Sequence, residues 1–138
     1  MKALHTSTVT SRGGRQGGVR SSDGSLDLEL KRPPDPTGTN PEALFAAAYA
    51  ACFEGAFRLA ARDAGRELTN VAITVRVTLN VRDARVFDLS VEIHVQADGL
   101  GSAETESLMA TAHQICPYSR AVRGNVEVQL FAEAWQTQ

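Results

Sequence analysis

The stretch that most constrains this chain is residues 39–65, TNPEALFAAAYAACFEGAFRLAARDAG. It opens as a helix should. Thr39 stands three residues before Glu42, the spacing of a capping box, and Pro41 occupies the first turn, where its missing N–H costs nothing. Between 43 and 56 the one charge is Glu54, and apolar residues run all the way round instead of forming one stripe. A helix apolar on every side is a buried helix. A membrane span needs about 20 mostly apolar residues, and this stretch reads as too short and too rich in alanine for one. Its many small residues let other backbones come close. Cys52 sits in its middle, so the question is whether that sulfur packs or reacts.

The rest of the composition sets bounds. At 138 residues the chain reads as one domain, 1–138. A chain of this length buries roughly 68–70 % of its unfolded surface, enough for a core without staples. A net charge of −2 gives no electrostatic reason to expect nucleic acid or an anionic membrane as partner. The first residues, MKALHTSTVTSRGG, lack the apolar core of a signal peptide, which predicts a cytoplasmic protein. Two cysteines in a reducing compartment do not read as a structural disulfide; they are inert, catalytic or redox-sensing.

Along the chain, residues 3–10 are β-leaning and read as a first strand. SRGGRQGGVRSSDG follows, with glycines on both sides of Arg15 freeing the backbone to carry that side chain inward or outward. LDLELK (26–31) alternates apolar and polar as a half-buried strand does. RPPDPTG (32–38) can continue neither sheet nor helix and connects to the long helix, which ends near Gly65. In VAITVRVTLNV (71–81), Val71, Ile73, Val75, Val77, Leu79 and Val81 share one face. In VFDLSVEIHV (86–95) the apolar set is Leu89, Val91, Ile93 and Val95, and the short link predicts an antiparallel hairpin. SAETESLMATAHQIC (102–116) reads as a second helix capped by Ser102, stopping where Pro117 disfavours helical geometry in the residue before it. NVEVQLFAEAW (125–135) is the last strand, with Phe131 and Trp135 on a polar face, as at a subunit contact. The order βββ-α-ββ-α-β is an α+β arrangement.

Taken singly, the candidate reactive residues have ordinary explanations. Cys52 in an alanine-rich helix packs as a small hydrophobe. Cys116 ends a helix before Pro117, Tyr118 and Ser119, at a place where a side chain has room to move. Sixty-four residues separate the two cysteines, which fits no zinc spacing, and His113 with Cys116 lacks two further ligands, so no metal is expected. His5, His94 and His113 are scattered surface or packing residues. Glu42 has its capping role, and Arg15 is an ordinary loop arginine. These readings alone leave a soluble α+β domain with room for thiol chemistry.

Four motifs, GGRQG (13–17), SSDGSLDL (21–28), GTNPEALFAAAYAACFEGA (38–56) and AHQICPYSRAVRGNVEV (112–128), run in order through nearly the whole chain. They resemble the organic hydroperoxide resistance (Ohr) subfamily of the Ohr/OsmC proteins. The resemblance implies the OsmC-like fold and an intertwined homodimer whose buried helices pack centrally, with sites at the interface. It implies a peroxidatic Cys52, a resolving Cys116, a catalytic Arg15 and a Glu42 that orients it. It also implies reduction of organic hydroperoxides through a Cys52 sulfenic acid and a Cys52–Cys116 disulfide. Dihydrolipoamide or a lipoylated carrier protein would recycle that disulfide, without metal, flavin or haem. The chain departs from the usual pattern in its short proline-rich connector, in Gln16, in Arg120 and in the sequence RVFDL, which lacks glycines before its phenylalanine.

Simple arithmetic indicates where such chemistry would find its rate. Lowering a thiol from about 8.5 to about 6 raises the thiolate fraction at neutral pH roughly 30-fold, but lower basicity returns roughly 10-fold of that. The larger contribution would come from a guanidinium donating to the peroxide and its leaving oxygen in a dry site. Leu44, Phe45, Phe53, Phe57, Met109 and Ile115 lie on the cysteine-bearing helices. Those that line the site would favour alkyl, aryl or fatty-acid hydroperoxides over hydrogen peroxide by roughly 0.8 kcal/mol per buried methylene. A general OsmC-type peroxidase, a redox-sensing module and an inert-thiol binding domain are the competing readings.

Overall fold

The computed structural model describes residues 1–137, which group into two compact units, residues 1–44 and residues 45 onward. The first unit is a three-stranded antiparallel sheet, β1 (Val9–Arg12), β2 (Gly18–Ser21) and β3 (Asp27–Glu29), in sequential order. The expected strands at 3–10 and 26–31 are shorter than the composition implied. The third strand of the expected βββ run, β2, lies inside the glycine-rich segment. Exposure is high here: Val9 is 50 % and Leu28 39 % exposed. After β3 the proline-rich connector closes on itself, as Thr39 N–H donates to Glu29 O and Lys31 N–H to Thr39 O, both at 2.9 Å.

The long helix α1 (Pro41–Asp63) starts at the end of this unit and runs into the next. Its cap is Asn40, not Thr39: Asn40 Oδ1 accepts the Ala43 N–H at 2.9 Å. Thr39 is committed through its backbone to the β3 end, so the next residue takes the N-cap, and Glu42 is released from the expected capping box. Pro41 is the first helical residue, as expected. At 23 residues the helix is long and apolar enough to cross a bilayer, contrary to the sequence expectation. Here it serves as a core helix, burying Tyr49, Phe53, Ala56, Phe57, Ala60 and Ala61. It is not buried on every side, however. Ala43, Ala47, Ala51, Gly55 and Leu59, four residues apart, form an exposed stripe.

The second unit is a sheet ordered β4–β5–β6, where β4 is Val71–Asp83, β5 Val86–Ala97 and β6 Glu127–Glu133. β4 and β5 form the expected antiparallel hairpin, and β6 lies parallel to β5. The crossover between β5 and β6 carries α2 (Ser102–Ile115) and a six-residue helix, α3 (Pro117–Val122), which the sequence reading did not foresee. Gly101, not Ser102, caps α2. The period-two alternation of β5 is clean, with Val91, Ile93, Val95 and Ala97 buried and Ser90, Glu92, His94 and Gln96 between them half-buried. These side chains meet Phe53 and Phe57 of α1 and Leu108, Met109 and Ala112 of α2 in one core cluster. Leu79 and Val81 do not join it. They stay 42 % and 60 % exposed, because the hairpin runs on beyond the core, and Val86 and Phe87 are exposed beside them. On the outer face of the sheet Phe131 stacks on His94 with ring centroids 4.7 Å apart, while Trp135 lies past the end of β6.

The core should dominate stability. Phe57 is fully buried, so Phe57→Ala is expected to lower unfolding free energy by about 3–5 kcal/mol in a denaturant titration. A loss below about 1 kcal/mol would show that this ring is not in a packed interior.

Candidate active site

Arg15 is presented by a tight glycine loop. Gly13, with φ 85°, caps a single 3₁₀ turn, Gly14–Gln16, that connects β1 to β2. A Cβ on Gly17 would fall 1.8 Å from the Arg12 carbonyl oxygen, so only glycine lets the loop close. The base of the loop is tied to the end of β3, since Leu30 N–H, just past that strand, donates to Gly17 O at 2.8 Å. The same strand end holds Thr39, which sets the start of α1 and thus Glu42. Loop apex and helix start therefore share one support. The outcome is a bidentate ion pair: Arg15 Nη1 donates to Glu42 Oε2 at 2.9 Å and Nη2 to Oε1 at 2.6 Å. Arg15 remains 47 % exposed at its side chain, whereas Glu42 is 16 % exposed. The guanidinium's hydrogen bonds, opposed by partial burial, hold the Glu42 carboxyl below its usual range, and the carboxylate in turn raises Arg15.

The two cysteines, 64 residues apart in sequence, meet in the second unit with Cys116 Sγ 3.7 Å from Cys52 Sγ. Both are free thiols; Cys52 is half-buried and Cys116 has no exposed surface. The sequence placed Cys116 where a side chain could move, yet it is enclosed between α2 and α3. Its backbone there is extended (φ −63°, ψ 121°), as the following proline requires. Burial pushes the Cys52 thiol up, and the adjoining Cys116 adds to this; the Tyr118 backbone N–H works the other way. Within its own unit Cys52 thus meets surroundings that favour the thiol over the thiolate.

Beside the sulfurs runs a polar chain that the sequence reading missed. Tyr49 Oη lies 2.7 Å from Ser119 Oγ, and Ser119 Oγ 2.8 Å from His113 Nδ1; Tyr49 and Ser119 are fully buried. His113 is thus neither a surface residue nor simple packing. Tyr49, three residues before Cys52, shares its helical face, and that spacing was the available signal. Of the expected pocket residues, Phe53, Phe57 and Met109 are fully buried core members, and Phe45 packs half-buried against them. Leu44 is half-buried and Ile115 is 39 % exposed. Among the described residues no group of three or more His, Cys, Asp or Glu could hold a metal ion.

The two-sheet α+β fold matches solved organic hydroperoxide resistance proteins. The family model described as OsmC-like protein matches residues 34–131. The chain is 42 % identical to the organic hydroperoxide resistance protein of Xanthomonas axonopodis pv. citri, over 94 % of each chain. It superposes on an organic hydroperoxide resistance protein from Legionella pneumophila with a TM-score of 0.90 and 44 % identity, covering 96 % of this chain and 99 % of that one. For OhrB of Bacillus subtilis the TM-score is 0.87 with 42 % identity, covering 95 % of this chain and 100 % of that one. The chain belongs to the OsmC-like family, in its organic hydroperoxide resistance subfamily.

The ion pair has a pH signature. A depressed carboxyl stays ionised as pH falls until its own lowered pKa is crossed, so the Arg15–Glu42 contact is present above the ordinary carboxylate range and is lost only below it. Carboxyl-carbon NMR titration should find Glu42 below the usual glutamate value, and Arg15→Ala should raise it. An unmoved Glu42 titration in that variant would show that the pairing is not made in solution.

Proposed function

We propose that this protein is a thiol peroxidase that reduces organic hydroperoxides to alcohols, and the observation that carries the reading is the 3.7 Å separation of two free thiols. The Cys52 thiolate attacks the terminal peroxide oxygen and the O–O bond breaks. Sulfur gives up two electrons to become a sulfenic acid, and the alkoxide takes a proton to leave as the alcohol. The Cys116 sulfur then displaces hydroxide from the sulfenic acid, the Cys116 proton completes a water molecule, and a disulfide remains. A dithiol such as dihydrolipoamide, free or on a carrier protein, reduces it by exchange and is itself oxidised to the cyclic disulfide. No resident metal or organic cofactor takes part in these steps. Its relatives' names, organic hydroperoxide resistance proteins, support the substrate class.

Arg15 supplies what Cys52 lacks in its own unit, a cation to offset burial and a planar fork to donate to the developing negative oxygen. Glu42 holds that fork in place. In the homodimer of this reading, with its sites at the interface, the guanidinium gripped by Glu42 meets the sulfur of a second copy. Three exposed apolar features support a partner: the alanine–glycine–leucine stripe of α1, the hairpin end at Leu79, Val81 and Phe87, and Val9 and Leu28 of the first sheet. Leu44, Phe45 and Ile115 retain surface that a hydroperoxide's alkyl or aryl group can cover. The reaction is set in the cytoplasm, where reduced dithiols are available.

In single turnover, one equivalent of cumene hydroperoxide should leave a species lighter by two hydrogens, with Cys52 joined to Cys116. Unchanged thiols after that treatment would rule out the peroxidase. Arg15→Lys should lower kcat/KM for cumene hydroperoxide on the order of 10²-fold in a dihydrolipoamide-coupled assay, because an ammonium has no planar fork. Near-wild-type turnover in this variant would contradict the assigned role.

A further inference from the structure

The sulfur pair is one of two contacts between the same two segments. On α1, Tyr49 precedes Cys52 by three residues; at α3, Ser119 follows Cys116 by three. Tyr49 meets Ser119 at 2.7 Å and Cys52 meets Cys116 at 3.7 Å, so the segments run antiparallel and are joined by a polar rung and a sulfur rung one turn apart. We infer that the buried Tyr49–Ser119–His113 chain positions the resolving cysteine: it pins α3 to α1 and so holds Cys116 within closing distance of Cys52. Resting on the peroxidase reading, this assigns three residues to the second, disulfide-forming step and not to peroxide attack.

Disulfide formation must bring the sulfurs from 3.7 Å to about 2.05 Å. Cys52 lies inside a continuous helix and offers little backbone movement. Cys116 is the extended joint between α2 and α3, so the adjustment falls there. A joint that moves needs a fixed neighbour, and the polar rung is that neighbour. Arg123, just past α3, adds a second tie by donating to the His113 carbonyl.

The chain also has a direction. The Tyr49 hydroxyl is fully buried and Ser119 Oγ is its hydrogen-bond partner, so its proton goes to Ser119. With Nδ1 as the unprotonated nitrogen of a neutral His113 ring, Ser119 gives its own proton to it and every member of the chain is partnered. Protonating His113 turns Nδ1 into a donor; Ser119 Oγ can then accept from both Tyr49 and His113, but its own proton loses its acceptor in this chain. The groups facing His113 are Ser119 from α3, Tyr49 of α1 beyond it, and the Arg123 guanidinium. Burial first, then the Arg123 charge, keep His113 neutral to lower pH than an ordinary histidine. A depressed histidine of this kind supports the chain above its own lowered pKa and abandons it as pH falls through that value.

The test uses the full-length protein in single turnover with cumene hydroperoxide, following peroxide loss and, after alkylation, the masses of sulfenic, disulfide and sulfinic species. Ser119→Ala and Tyr49→Phe should consume the first equivalent within about twofold of wild type. They should form the disulfide on the order of 10- to 100-fold more slowly, the range expected for misplacing a reacting atom by about 1 Å. Sulfinic acid should then accumulate at Cys52 under excess peroxide, and Ser119→Thr should restore most of the closure rate. The wild-type advantage over Ser119→Ala should shrink as pH falls through the His113 titration, a change that loss of packing alone would not produce. Should a variant fail to fold by circular dichroism, His113→Ala, at the half-buried end of the chain, carries the same expectation. Disulfide formation at the wild-type rate in the folded variants would overturn the inference while leaving the peroxidase reading intact. A wild-type protein that consumes no hydroperoxide would overturn both.

Discussion

Charging a sulfur atom inside a packed interior is the constraint on which this structure turns. A thiolate is the nucleophile, yet burial favours the neutral thiol, and Cys52 in its own unit is pushed in that direction. An opposite charge reverses the balance only if it is desolvated alongside the sulfur and held there at little cost in entropy. The bidentate Arg15–Glu42 pair meets the second condition, since the carboxylate immobilises the guanidinium before any substrate arrives. The proposed assembly of two copies meets the first.

The fold serves this arrangement with few parts. The β3 end accepts Thr39 and so fixes both the start of α1 and the base of the arginine loop. The buried side of α1 carries Tyr49, Phe53 and Phe57 into the core, with Cys52 on the shoulder of that face. The α2–α3 joint brings Cys116 to the sulfur that α1 presents. Two short sequence blocks thus bring their sulfurs to 3.7 Å because a helix and a proline-terminated corner pack on the same sheet.

Much of this was legible in the sequence, and the gaps have physical causes. Alternation located β4 and β5, because a strand with one buried face must alternate, and the motifs around Cys52, Cys116, Arg15 and Glu42 carried the family. The cap of α1 was misassigned because Thr39 and Asn40 are both good caps, and tertiary ties to β3 decided between them. α3 was missed because Pro117 both stops one helix and begins the next. Leu79 and Val81 obey strand periodicity yet lie beyond the core, since periodicity reports a face and not its cover. The end of α1 was legible: it was expected near Gly65, and Asp63 is its last helical residue. Ser119 and His113 were invisible as partners because only folding brings them to Tyr49.

The most direct measurement of the central claim is the thiolate titration of Cys52, followed by ultraviolet absorbance in a Cys116→Ser background, with and without Arg15→Ala. The account predicts that Cys52 ionises well below the ordinary cysteine value of about 8.5 when Arg15 is present and shifts upward when it is removed. The same titration in both proteins would contradict it.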